Sequence, residues 1–264
     1  MSNEKLAVRE HWSFFFSRRI RFTAQDAIAL PCAEIVKIRG TAIITYLHMQ
    51  QIVLASASPR RRELLTLLDI AFTSIATNTE EIPIPGESAP QMVARLSRHK
   101  ATAAAQQFPA ALIIAADTDV ELDGAILGKP RDADDARAML TALRNRAHNV
   151  FTGFTLAEGE WRETEIVHTR VRMRDYSDAE RDAYIASGDP FDKAAGYAVQ
   201  HQGFQPVARV DGCLANVMGM PLCRLYHALA RHIEMPAPRL ECIAHSETNC
   251  SLAKIVLGDS MIGD

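Results

Sequence analysis

The sequence predicts an α/β fold built on a mixed sheet. Three observations carry that prediction. Strand-like and helix-like segments alternate from residue 52 to about residue 233. The run "ALIIAA" at 111–116 is apolar throughout, which suits a strand covered on both faces. The stretch "LASASPRRRELLTLL" at 54–68 joins an apolar strand to a helix through a serine-rich turn. That arrangement places phosphates at the carboxyl ends of strands in α/β proteins.

The elements follow in order. Ile52-Val53-Leu54 opens a buried strand over 52–55. Ser58 and Pro59 then read as the N-cap and first position of a helix over 59–68. "FTSIAT" at 72–77 reads as a strand, and residues 87–108 as a long helix with Ser88 as its cap and apolar positions at 92, 93 and 96. The strand over 111–118 ends in the polar residues Asp117, Thr118 and Asp119. A helix over 132–144 starts after Asp132, strands follow near 148–157 and 165–174, and Ser177 opens a helix over 178–187. Strands near 196–199 and 206–210 and a helix over 221–233 complete the core.

Composition narrows the function classes. With 264 residues, 48% of them hydrophobic, the chain can bury a substantial core. A net charge of −3 supplies no overall basic footprint for nucleic acid, so no nucleic-acid partner is expected. No stretch reaches the ~18 consecutive apolar residues of a membrane span, so no membrane partner is expected either. The five cysteines form neither a C-x-x-C pair nor a zinc spacing, which suits reduced thiols in the cytoplasm. Residues 1–48 have no clear period and read as an N-terminal extension outside the core. A core domain spans 49–234, and 235–264 reads as a loosely attached tail.

Arg60, Arg61 and Arg62 pose a problem of their own. They fall in the first turn of a helix, where free N–H groups already make the end positive, and each cation there costs about 0.3–1 kcal/mol. Either the long side chains reach solvent or distant carboxylates, or an anion such as phosphate is bound by the N–H groups, the serines and the guanidinium forks. Asp117 at a strand end suits a turn cap, a cation ligand or activation of water. Taken alone, Glu80-Glu81 reads as a solvated turn, Lys100 as a surface lysine and Gly128-Lys129-Pro130 as a rigid turn. His148 reads as a satisfied core or edge histidine, and neither Gln200 nor the Gly/Pro bend "NVMGMP" carries a mechanism alone.

Their ordered joint occurrence resembles the Maf-type nucleoside triphosphate pyrophosphatases. The resemblance runs from residue 52 to about 230 through "LASASPRRRELL", "EE", "RLSRHKA", "ADT", "GKP", "HNVFTG", "DKAAGYAVQ" and "NVMGMPL". It implies a twisted mixed sheet flanked by helices, with two lobes around a cleft as in inosine-triphosphatase-like folds. It further implies a homodimer that hydrolyses a nucleoside triphosphate between the α- and β-phosphates with Mg²⁺ or Mn²⁺. By matching positions, Ser56, Arg61, Glu81, Lys100, Asp117 and Lys129 are the catalytic and phosphate-handling set, with Ser58 beside them. Asp117 is then the proton acceptor or a metal ligand, and Glu81 and Asp119 help hold the metal. Arg60, Thr118 and Gln200 match the dTTP/UTP-hydrolysing subgroup, whereas relatives acting on 7-methyl-GTP carry Trp, Gln and Glu there. A nucleotide-binding regulator of septum formation is the non-enzymatic alternative, but a pure binder does not need Asp117 and Glu81. The chain departs from the family at Ala195, usually glycine, and at His201-Gln202, where glycine follows the glutamine. It also lacks the Ser-Gly pair in "LRNRAHNV" and carries Asp119 where the family is apolar.

Overall fold

The computed structural model describes residues 33–38, 41–46 and 50–237. The chain forms two compact units, Met1–Met49 and Gln50–Asp264. In the first, β1 (Ala33–Ile38) pairs antiparallel with β2 (Thr41–Tyr46). No strand is expected there from periodicity, yet AEIVKI and TAIITY are both rich in β-branched residues, which favour strands. The rest of the expected N-terminal extension, and nearly all of the expected C-terminal tail, lie outside the described residues.

The second unit runs β3 (Ile52–Ala55), α1 (Pro59–Thr66), β4 (Thr73–Ile75), α2 (Ala89–Gln107), β5 (Leu112–Leu122), β6 (Ala125–Leu127) and α3 (Ala133–Leu143). It continues with β7 (Ala147–Glu158), β8 (Trp161–Met173), α4 (Asp178–Ala186), β9 (Val207–Asp211), α5 (Leu214–Val217) and α6 (Leu222–Leu229). Seven strands form one sheet in the order β4-β3-β5-β7-β8-β9, with β6 on β5. The pairs β3–β4 and β3–β5 are parallel and the others antiparallel, so the sheet is mixed. The two lobes expected around the cleft belong to a single compact unit.

The caps act as their sequences require. The Ser58 hydroxyl accepts from the Arg61 N–H, Asp132 caps α3, and Ser177 forms a capping box with Glu180. At the start of α2 the Ser88 N–H donates to Gln91 Oε1 at 2.9 Å. The apolar run in β5 is explained by cover on both faces. Val53, Ala55, Ile113 and Ala115 pack with Ala101, Ala104 and Ala105 of α2. Ile52, Leu54, Leu112 and Ile114 face the larger cluster, which includes Leu64 and Leu65 of α1.

Two expectations fail. The strand expected near 196–199 is absent. Tight 3₁₀ turns occupy Asp189–Asp192 and Ala194–Gly196, and β9 already takes the edge of β8. Tyr197, Ala198 and Val199 are buried there without a strand partner, so their apolar run reports burial and not extension. Ala195 adopts φ 55°, a left-handed conformation that glycine takes at lower cost. Second, β5 continues to Leu122, so Asp117, Thr118 and Asp119 lie within the strand and do not end it.

Helix α2 packs directly on the backbone of β7 at Gly153. A Cβ on Gly153 would lie 2.6 Å from the Val93 carbonyl oxygen and 2.7 Å from its carbon. Both are backbone atoms, so no side-chain rotation relieves the clash. Gly153→Ala is therefore expected to push α2 off the sheet and to cost about 1–3 kcal/mol, read as a lower urea midpoint. An unchanged midpoint would contradict this packing.

Candidate active site

The cleft arises from a gap in the pairing of β5. On one side β7 pairs with the strand along most of its length. On the other side β3 covers Leu112–Ala115 and β6 covers Val120–Leu122, leaving residues 116–119 without a strand neighbour. A cavity of about 270 Å³ opens at that edge. Because it wraps the open edge, both faces of β5 contribute to its lining: Asp117 and Asp119 from one, Thr118 and Val120 from the other.

Asp117 continues the face of Ile113 and Ala115, which looks toward α2, and there it meets Lys100. The ammonium lies 2.5 Å from Asp117 Oδ1 and 2.6 Å from Glu81 Oε1. Lys100 is 7% exposed, so the surface reading of this residue is wrong. Its helical position points at the sheet, where a carboxylate awaits it. Glu81 lies in the irregular segment after β4, not at a strand end, and its second oxygen is 3.7 Å from Lys129 Nζ. Burial pushes the Glu81 carboxyl up, but the hydrogen bond and charge of Lys100, with Lys129 and Arg61, hold it below the usual range. Among the described residues Glu80 makes no hydrogen bond or ion pair with this group.

The other face answers the arginine problem. Arg61 turns inward: Nε donates to the Gly219 carbonyl at 2.9 Å and Nη2 to Thr118 Oγ1 at 3.0 Å. Thr118 in turn shares a hydrogen bond with Thr152, whose hydroxyl donates to the Asn216 carbonyl. Burial lowers the Arg61 pKa, and Asp117 and Glu81 work against that. Gly219 adopts φ +103°, and a Cβ there would sit 3.4 Å from both Arg61 Nε and Thr118 Oγ1. Glycine thus lets the backbone reach the guanidinium.

The expected residues converge, with one exception. Ser58, Arg60, Arg61, Glu81, Lys100, Asp117, Thr118, Lys129 and Gln200 all line the cleft. Ser56 does not. It is buried beneath the turn, where its hydroxyl accepts from the Ser58 N–H at 3.2 Å. Two contributors were not anticipated from sequence. Gly219 anchors Arg61, and its signal was the "MGMP" bend. Lys193 is a buried wall of the cleft, held by Asp189 and Asp192, and its signal was the cluster of charges in "DPFDK".

Asp119 is 6% exposed, and its Oδ2 has no hydrogen-bond partner. Burial, with Asp117 and Glu81 nearby, raises its pKa to about 7. Among the described residues no three His, Cys, Asp or Glu side chains form a ready metal cage. Carboxylates are nonetheless the hard donors that Mg²⁺ takes one or two at a time alongside phosphate oxygens, and an unpartnered buried carboxylate oxygen fits such an ion.

The fold and cleft define an α/β protein that gathers cationic and carboxylate side chains at the open edge of one strand. The chain belongs to the family described as Maf-like protein, whose model matches residues 51–232. It is 50% identical over 187 residues to a dTTP/UTP pyrophosphatase of Myxococcus xanthus (strain DK1622), covering 71% of this chain and 94% of that one. A dTTP/UTP pyrophosphatase of Syntrophomonas wolfei subsp. wolfei is 43% identical over 180 residues, covering 67% and 95%. One of Thermomicrobium roseum is 47% identical over 173 residues, covering 65% and 79%.

Behind the cleft, His148 Nε2 lies 2.7 Å from the hydroxyl of Tyr197, which lines the cavity. Burial lowers the His148 pKa to about 4. Between pH 4 and about 6.5 the unfolded chain binds this proton and the folded chain does not, so stability rises with pH across that window. The contribution is complete above about pH 6.5 and falls by about 3 kcal/mol toward pH 4. Asp119, with a raised pKa, acts with the opposite sign, so a difference between proteins isolates the histidine. Urea midpoints between pH 4 and 7 are expected to fall less steeply with acid in His148→Gln than in the wild type. Equal slopes would contradict the assignment.

Proposed function

We propose that the protein hydrolyses dTTP and UTP to the nucleoside monophosphate and pyrophosphate, in the cytoplasm, with Mg²⁺ or Mn²⁺. The observation that carries this reading is the array at the open edge of β5 in which buried Lys100 is bonded to buried Asp117 and to the exposed Glu81, in a chain similar to dTTP/UTP pyrophosphatases along most of their length. In the reaction a water oxygen bonds to the α-phosphorus and its proton passes to Asp117. The α–β bridging bond breaks, and its electron pair leaves with pyrophosphate. Lys100 keeps one Asp117 oxygen fixed at 2.5 Å, which orients the carboxylate toward the attacking water. Arg60, Lys129 and Lys193 line the same cavity and offset the charge that gathers on the leaving group. Asp117 and Glu81 would hold the cation, which when bound neutralises phosphate charge and polarises the phosphoryl oxygens.

Base preference follows from Gln200. A neutral amide can donate to and accept from the carbonyl–imide–carbonyl edge of thymine or uracil. The Thr118 hydroxyl is taken by Arg61 and Thr152, so it serves by positioning Arg61.

A missing polar partner in a buried pocket costs about 1–3 kcal/mol, which sets a preference of roughly tenfold or more. With purified protein and equal triphosphate concentrations, pyrophosphate release is expected to be faster from dTTP and UTP than from 7-methyl-GTP. Gln200→Glu is expected to lose that advantage while melting as the wild type does. Faster release from 7-methyl-GTP by the wild type would sink the assignment.

A further inference from the structure

The three carboxylates at the open edge of β5 are not equivalent. Asp117 and Glu81 are each hydrogen-bonded to Lys100, and Glu81 also faces Lys129. Asp119 lines the same cavity, is 6% exposed, and its Oδ2 meets no donor in the structure. A buried carboxylate oxygen without a donor is costly, and folded proteins seldom keep one without a use. The two-residue spacing on a strand puts Asp117 and Asp119 on one face, their Cα atoms about 7 Å apart. Lys100 already answers Asp117 on that face, so Asp119 is the carboxylate left over.

We propose that Asp119 is a further ligand for the divalent cation, Mg²⁺ or Mn²⁺, whose coordination is completed by phosphate oxygens of the bound triphosphate. No three acidic or imidazole side chains among the described residues enclose an ion unaided, so tight binding of the metal requires the nucleotide. The inference rests on the reading of the cleft as a triphosphate site. It adds a residue, and a reason for that residue to be buried at a cost to the empty protein.

The test is Mn²⁺ binding, followed by electron paramagnetic resonance, in the presence of saturating α,β-imido-dUTP. Wild type, Asp119→Asn and Asp119→Val are compared. Both variants are expected to bind Mn²⁺ at least about tenfold more weakly, the loss of one charged ligand, while their affinity for the analogue in metal-free buffer stays that of the wild type. Without metal, Asp119→Val is expected to melt a few degrees higher than the wild type, because the unanswered carboxylate is gone. With Mn²⁺ and analogue the wild type gains more. Equal Mn²⁺ affinities in all three proteins would overturn the proposal, as would a lower metal-free melting temperature for Asp119→Val, which marks a purely structural aspartate. A wild type that fails to bind the analogue both with and without metal overturns the triphosphate reading itself, and this inference with it.

Discussion

A buried lysine ammonium held between one buried and one exposed carboxylate is the interaction on which the cleft depends. Lys100 reaches it from α2, Asp117 from β5, and Glu81 from the segment after β4. These are three separate parts of the chain, brought together only when α2 lies on the sheet. A buried pair of this kind adds little net stability, but removing one partner costs about 3–5 kcal/mol because a charge is left unanswered. The array therefore fixes where α2 sits, and α2 in turn depends on the absence of a side chain at Gly153.

The second constraint is the interrupted edge of β5. If β3 were four residues longer, or β6 ran four residues past Leu127, the strand would be paired throughout and no cavity would open. The gap exposes both faces of one strand to one space. Acidic chemistry comes from the face toward α2, and the arginine clamp from the face toward α1. Arg61 pays its electrostatic penalty at the helix start through two hydrogen bonds, to Gly219 and Thr118, that tie α1 to β5 and to the bend before α6.

Much of this was legible in the sequence, and the parts that were not share a cause. The strand–turn–helix at 52–66 was readable because Ser58-Pro59 is a local signal, and the same holds for the Asp132 and Ser177 caps. The apolar run in β5 predicted cover on both faces, and that is what surrounds it. Lys100 was unreadable alone because its burial depends on Asp117 and Glu81, which lie far from it in sequence. Gly219 was unreadable because a carbonyl that anchors an arginine leaves only a bend in the sequence. The extension of β5 past Asp119 was hidden for a similar reason: polar residues inside a strand imitate its end when they face a cleft. Residues 196–199 erred in the other direction, their burial imitating a strand.

The central claim is that the chemistry belongs to Asp117, held in place by Lys100. Asp117→Asn keeps the shape of the side chain and removes the charge that accepts a proton. Pyrophosphate release from dTTP by this variant tests the claim most directly. The expected result is a fall of at least about 10²-fold in turnover with an unaltered far-ultraviolet circular dichroism spectrum. Turnover close to that of the wild type would contradict it and move the chemistry to Glu81.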